Sequence, residues 1–138
     1  MHTIFLEVND AQSMSFKDAD SVVLNYTLQF LPVNDRLDLL KNIYSSLKPG
    51  GMMIVADKLF SQSAPIHEIW TKFYEEFKML QGYSRTEIER KKEALERVLI
   101  PLTYNQELEL FRNAGFTDIE CILRWQQFAT FACLKNRA

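Results

Sequence analysis

The chain has little cysteine, histidine or glycine, no long apolar run and no excess of basic charge. Its two cysteines, Cys121 and Cys133, are too few for a disulfide framework or a four-thiolate zinc site. Reduced, cytoplasmic surroundings are the expectation. The two histidines, His2 and His67, do not suggest a histidine-rich metal site. No apolar stretch approaches the ~20 residues of a membrane-spanning helix. Residues 1–10 lack the basic-then-apolar order of a signal peptide. Sixteen Lys and Arg face eighteen Asp and Glu, a net charge of -2. No global positive field exists, so neither a membrane nor a directly bound nucleic acid is expected as a partner. The four glycines, Gly50, Gly51, Gly82 and Gly115, all lie beyond the first third of the chain.

What is present suits one folded unit. The chain has 138 residues, of which 47% are hydrophobic and 25% charged. Thr3–Val8 is rich in β-branched and apolar residues, and Asn9-Asp10 forms a turn after it, so a short strand is expected. Ser21–Leu28 contains Val22, Val23 and Leu24 in sequence, as in a strand covered on both faces. Asn34 is placed to cap a helix over Asp35–Leu47, stopped by Pro49-Gly50-Gly51. Met52–Ala56 reads as a buried strand. Ile66–Leu80 carries Ile69, Trp70, Phe73, Phe77 and Leu80 at helical spacing. Capping-box patterns at Ser84–Glu87 and Thr103–Gln106 open two further helices, to about Leu99 and to Ala114. Ile119–Trp125 and Phe128–Leu134 read as an antiparallel pair joined at Gln126-Gln127. The order β-β-α-β-α-α-α-β-β predicts an α/β sheet, mostly parallel, ending in an antiparallel strand pair.

Several stretches then carry a resemblance. Ser21–Leu31 (SVVLNYTLQFL), Leu47–Gly51 (LKPGG) and Leu110–Phe116 (LFRNAGF) resemble the C-terminal part of a Rossmann-like class I S-adenosylmethionine-dependent methyltransferase. Phe77-Lys78, Gly82-Tyr83-Ser84, Glu87-Ile88, Lys91, Leu95-Glu96 and Val98 narrow this. Together they are similar to the carboxy-S-adenosylmethionine synthases of tRNA wobble-uridine modification. The resemblance runs from about Asp10 to Leu134. It implies that S-adenosylmethionine is the cofactor and prephenate the substrate, with carboxy-S-adenosylmethionine and phenylpyruvate as products. A homodimer is expected.

The resemblance also assigns roles to residues. Asp10 and Ala11 fall beside the adenine ring, and Asn25 at a strand end contacts the cofactor. Read from the residues alone, Asp10 equally fits an Asx turn and Asn25 a strand-end cap. Lys92 lies about 40° from Ile88 and about 20° from Leu99 around its helix, so it points into an apolar stripe. Such a lysine snorkels or finds an anion. The family has an arginine here that pairs with the transferred carboxylate. An ammonium offers a point charge in place of a bidentate fork. No catalytic residue is assigned, because the sulfonium cofactor carries the reactivity. Trp70 and Tyr83 fit either a pocket wall or the core. Tyr26 and Phe30 are expected under the sheet, and Cys121 and Cys133 as small buried hydrophobes.

The family's glycine-rich turn after a first strand, and its acidic residue after a second, have no counterpart in the sequence. The expectation is a single partial domain over residues 1–138, without its first two strands. Strand Ser21–Leu28 would then present an open apolar edge. Two readings stay open: a carboxy-S-adenosylmethionine synthase lacking half its cofactor site, and an inactive interaction module that another chain completes.

Overall fold

A computed structural model describes residues 3–137, so His2 lies outside the described residues. Among the described residues there are five strands: β1 (Ala19–Asn25), β2 (Leu47–Phe60), β3 (Leu102–Thr103), β4 (Asp118–Trp125) and β5 (Phe128–Leu134). Four helices accompany them: α1 (Val33–Ser46), α2 (Ala64–Leu80), α3 (Arg85–Leu95) and α4 (Tyr104–Ala114). The sheet order is β1-β2-β5-β4, with β3 pairing to the far end of β2. β1 and β3 run parallel to β2, whereas β5 is antiparallel to both β2 and β4. β4 therefore points the same way as β2, and β5 alone is reversed. The mostly parallel sheet and its closing antiparallel pair are as expected.

One face of the sheet is well covered. Val22 and Leu24 of β1, Met53 and Val55 of β2, and Phe131 and Cys133 of β5 form a single buried cluster with Leu39, Leu40 and Ile43 of α1 and Phe111 of α4. The other face is not. Val23 is 60% exposed, and Ile122 and Leu123 of β4 are also open. The three consecutive apolar residues of β1 therefore alternate between a covered and an open face. β1 is an edge strand, as the open-edge expectation required.

Other expectations need correction. Residues 3–8 form no strand; Ile4, Phe5, Leu6 and Val8 are exposed and have no ladder to join. A lone strand leaves its backbone groups unpaired, so propensity is not sufficient. β1 stops at Asn25 because Tyr26 turns into the left-handed region at φ 52. Helix α1 starts earlier than Asn34 allowed, with Pro32 at its N-cap position. The Pro-Gly-Gly segment does not end the helix from outside the sheet. Instead β2 begins at Leu47 and runs through it, and the β1 register jumps from Ala19↔Leu47 to Ser21↔Met52. Gly51 allows this, since a Cβ there would lie 2.8 Å from the Lys48 carbonyl oxygen and 3.0 Å from that of Asp20.

Both capping boxes form as read, at Ser84 with Glu87 and at Thr103 with Gln106. Gly115 closes α4 at φ 117. α3 ends at Leu95 and not near Leu99. α2 has the expected length, but none of its residues is buried. Ile69, Phe73, Phe77 and Leu80 lie exposed along it. Tyr26 and Phe30 are also more than 40% exposed, and so are not packed under the sheet. Cys133 is fully buried and Cys121 half-buried, and both are free thiols.

Candidate functional site

At the C-terminal end of β2, the side chain of Lys58 leaves the sheet on the face opposite α1 and α4. There α2 and α3 wall a cavity of about 680 Å³. In open α/β sheets ligands gather beyond the carboxyl ends of parallel strands, which is where this cavity lies. Lys58, Lys78 and Lys92 reach it from β2, α2 and α3. Ile88, Leu95, Leu99 and Phe60 give it an apolar wall.

Tyr74 of α2 organises the inner end. Its ring lies 4.2 Å from Lys78 Nζ and 5.5 Å from Lys58 Nζ. Phe128 of β5 holds the same ring edge-on at 5.0 Å. Burial, then the charges of Lys78 and Lys92, push the Lys58 ammonium below its usual range. Burial and the neighbouring Lys91 do the same to Lys78. Among the described residues neither lysine forms an ion pair. Lys92 does: its Nζ donates to Glu75 Oε1 at 3.1 Å, and this bond raises its pKa. Glu89 of α3 and Glu96 just beyond it are also felt at Lys92, and both helices bring charges of both signs to the cavity, Glu75 and Lys78 from α2 and Glu89, Lys91, Lys92 and Glu93 from α3. His67 stacks on Phe60 at the rim, with ring centres 4.1 Å apart.

The sequence-predicted residues fall in two places. Lys92 lines the cavity, while Asp10, Ala11 and Asn25 do not. Asp10 caps a short 3-10 turn over Ala11–Ser13, and its Oδ1 accepts the Gln12 backbone N–H at 2.9 Å. Ala11 packs against the core. Asn25 is exposed at the end of β1, and its side-chain amide has no partner among the described residues. It is linked to the cavity through its neighbour: Tyr26 meets Phe128 edge-on at 6.1 Å, and Phe128 meets Tyr74. Tyr83 is half exposed beside a second, smaller cavity, and Trp70 lies under Arg124 at 5.3 Å. Neither belongs to the core.

Beneath the sheet lies a group of charges that the sequence reading missed. Arg36 of α1, Asp57 of β2 and Glu107 of α4 are almost completely buried. Arg36 donates to the backbone oxygens of Gln29, Leu31 and Ile100 at 2.8–3.1 Å. Burial pushes the Asp57 carboxyl up to about 7, partly offset by the Gln29 backbone N–H and by Arg36. Burial and the charge of Asp57 push Glu107 up to about 8. Arg36 spends its hydrogen bonds on backbone oxygens, so its charge only partly offsets the burial that drives both carboxyls toward the neutral form.

Lys58 and Lys78 were also missed as site residues. The signal for Lys58 was available. It follows the apolar run Met52–Ala56, at the strand end where ligands bind. Nothing local marks Tyr74, whose position depends on the β5 pairing that brings Phe128 beside Lys58.

Comparison with known proteins fits this architecture. Residues 2–55 match a family model described as a methyltransferase domain. The chain is 42% identical over 136 residues to a carboxy-S-adenosyl-L-methionine synthase of Trichodesmium erythraeum, covering 99% of this chain and 54% of that protein. It is 43% identical over 130 residues to the protein of the same name from Campylobacter fetus, covering 94% and 56%. The chain thus spans about half the length of the curated relatives it matches. Human N-acetylserotonin methyltransferase, solved with SAM, superposes with a TM-score of 0.63 at 17% identity over 94% of this chain and 33% of its own. The fold is that of the class I S-adenosylmethionine-dependent methyltransferases. Among the described residues no helix is long and apolar enough to cross a membrane.

Proposed function

The chain shares its family with the carboxy-S-adenosyl-L-methionine synthases across about half their length, and on that premise we propose that it forms part of such an enzyme. In this reading S-adenosylmethionine and prephenate are converted to carboxy-S-adenosylmethionine, phenylpyruvate and water, the ring hydroxyl of prephenate leaving with the proton that the cofactor's methyl group gives up. The product serves carboxymethylation of the tRNA wobble uridine by a separate enzyme in the cytoplasm. The observation that carries the reading is Lys92, which lines a cavity beyond the strand ends.

The chain's own residues supply one edge of the cofactor site. Asn25 stands exposed at the end of β1 with a free amide, which fits a ligand laid across the strand ends. Asp10 keeps an exposed carboxylate able to accept the exocyclic amine of adenine, and Ala11 supports the turn from the core side. When bound, the cofactor supplies the sulfonium-linked methyl carbon on which the carboxyl unit is captured. Lys92 is the cation for that carboxylate, once released from Glu75. A point charge attracts the group but fixes its plane less well than a guanidinium.

A second reading is favoured by the open edge of β1 and the uncovered sheet face. In it the chain is a partial, inactive domain whose sheet is completed by another polypeptide or by a second copy in a homodimer. One experiment separates the two. The chain is incubated with S-adenosylmethionine and prephenate, alone and with the N-terminal half of the Trichodesmium relative. Carboxy-S-adenosylmethionine is read by mass spectrometry. Product in the mixture supports the enzyme. Its absence from a mixture that assembles leaves the interaction module.

A further inference from the structure

Four lysines and four glutamates line the cavity, yet the charges are not evenly paired within it. Lys58 and Lys78 converge on the same Tyr74 ring, yet among the described residues neither finds a carboxylate. Glu75, the acidic group both lysines feel, already holds Lys92. Two ammonium groups brought together by β2 and α2 at a half-buried position repel each other. A bound anion relieves that cost. Ile88, Leu95, Leu99 and Phe60 line the same cavity of about 680 Å³ with apolar surface. That volume lies within the range of small-molecule sites.

We propose that Lys58 and Lys78 bind a carboxylate joined by a short arm to a six-membered ring, with the ring against the apolar wall. This rests on the reading above. In that reaction the substrate has two carboxylates, one transferred and one kept. Lys92 faces the transferred one, and the lysine pair holds the 2-oxo-acid arm that prephenate and phenylpyruvate share. The two anchors divide the substrate between α3 on one side and β2 with α2 on the other. They hold the ring so that only one of its carboxylates faces Lys92.

The site is built wholly from residues of this chain, so it can be tested without cofactor. Phenylpyruvate, which retains only the kept carboxylate, is titrated into the chain and its Lys58→Met, Lys78→Met and Lys92→Met variants by calorimetry. Circular dichroism checks that each is folded. Lys58→Met and Lys78→Met are expected to weaken binding about tenfold or more, Lys92→Met by less than about twofold, and Lys78→Arg to retain it. Unchanged binding in folded Lys58→Met and Lys78→Met, or none by the unaltered chain, overturns the proposal. Inorganic phosphate is the control. Lysine-dependent binding of phosphate with no preference for phenylpyruvate overturns the ring-bearing ligand. Failure of carboxyl transfer in the complemented mixture, with lysine-dependent phenylpyruvate binding intact, sinks the enzyme and leaves this site standing.

Discussion

Lys92 and Glu75 form a 3.1 Å ion pair between α3 and α2, and both line the cavity. The lysine side chain is 57% exposed and the glutamate 31%. A pair this exposed contributes at most about 1 kcal/mol to stability. Its greater effect is to occupy the ammonium. Glu75→Gln is expected to change the urea midpoint little while strengthening carboxylate binding a few-fold. Lys92→Ala in a completed enzyme should weaken binding of the carboxylated product. An unchanged product affinity would remove Lys92 from the site.

The buried carboxyls make stability depend on pH. Asp57 moves from 3.8 to about 7 and Glu107 from 4.5 to about 8 on folding. The folded state therefore holds more protons than the unfolded one across this range. Their stabilisation is complete below the unfolded values and is lost as pH rises through the folded ones. Thermal unfolding should show Tm falling from the acid side of this window to about pH 8. Asp57→Asn should flatten that fall. A Tm that rises across the same window would contradict the assignment.

Cofactor affinity should be poor. In the proposed enzyme Asp10, Ala11 and Asn25 would offer only one edge of the cofactor site, and the sequence has no glycine ahead of Gly50. The chain alone should show no calorimetric binding of S-adenosylmethionine at micromolar concentrations. Micromolar affinity would mean that the site is more complete than these residues suggest.

Two apolar surfaces should drive self-association. Val23 is exposed on the open face of β1, and Phe73 is 53% exposed on α2. Apolar patches and unpaired edges of this kind promote contact between copies. Light scattering should report a mass that rises with concentration, and Val23→Lys or Phe73→Glu should lower it. A monomer at every concentration would exclude both surfaces as contacts.

The capping box of α3 gives a stability test. Ser84 accepts the Glu87 N–H, while the Glu87 carboxylate accepts from the Ser84 backbone. Ser84→Ala should cost about 1 kcal/mol in urea unfolding.

The parts of the fold legible in sequence were those fixed locally. Ser84 with Glu87, Thr103 with Gln106, and Gly115 place two helices to within a few residues. Periodicity identified α2 but not its exposure, because an amphipathic stripe does not reveal whether a partner covers it. The strand expected at Thr3–Val8 failed for the same reason, since a strand is defined by a neighbour. The helical angle pointed Lys92 into an apolar stripe, whereas its side chain lies at the cavity lining 57% exposed, and Leu99 lies beyond the end of α3. The partner of Lys92, Glu75, lies on another helix, beyond the reach of local spacing. Lys58, Tyr74 and Phe128 become one site only through the β2–β5 register. Arg36, Asp57 and Glu107 carry no local sign of one another in the sequence, and only the packing of α1, β2 and α4 buries them together.

The insertion of β5 between β2 and β4 has a consequence for synthesis. A ribosome releases β1, α1 and β2 early, and these can pair at once through a short crossover. The opposite side of β2 waits for Phe128–Leu134, the last strand to emerge. Until then the nascent chain displays β2 unpaired along its inner flank. Translation speed over the helices from Ala64 to Ala114 sets how long that flank stays open to chaperones, or to another nascent chain on the same message.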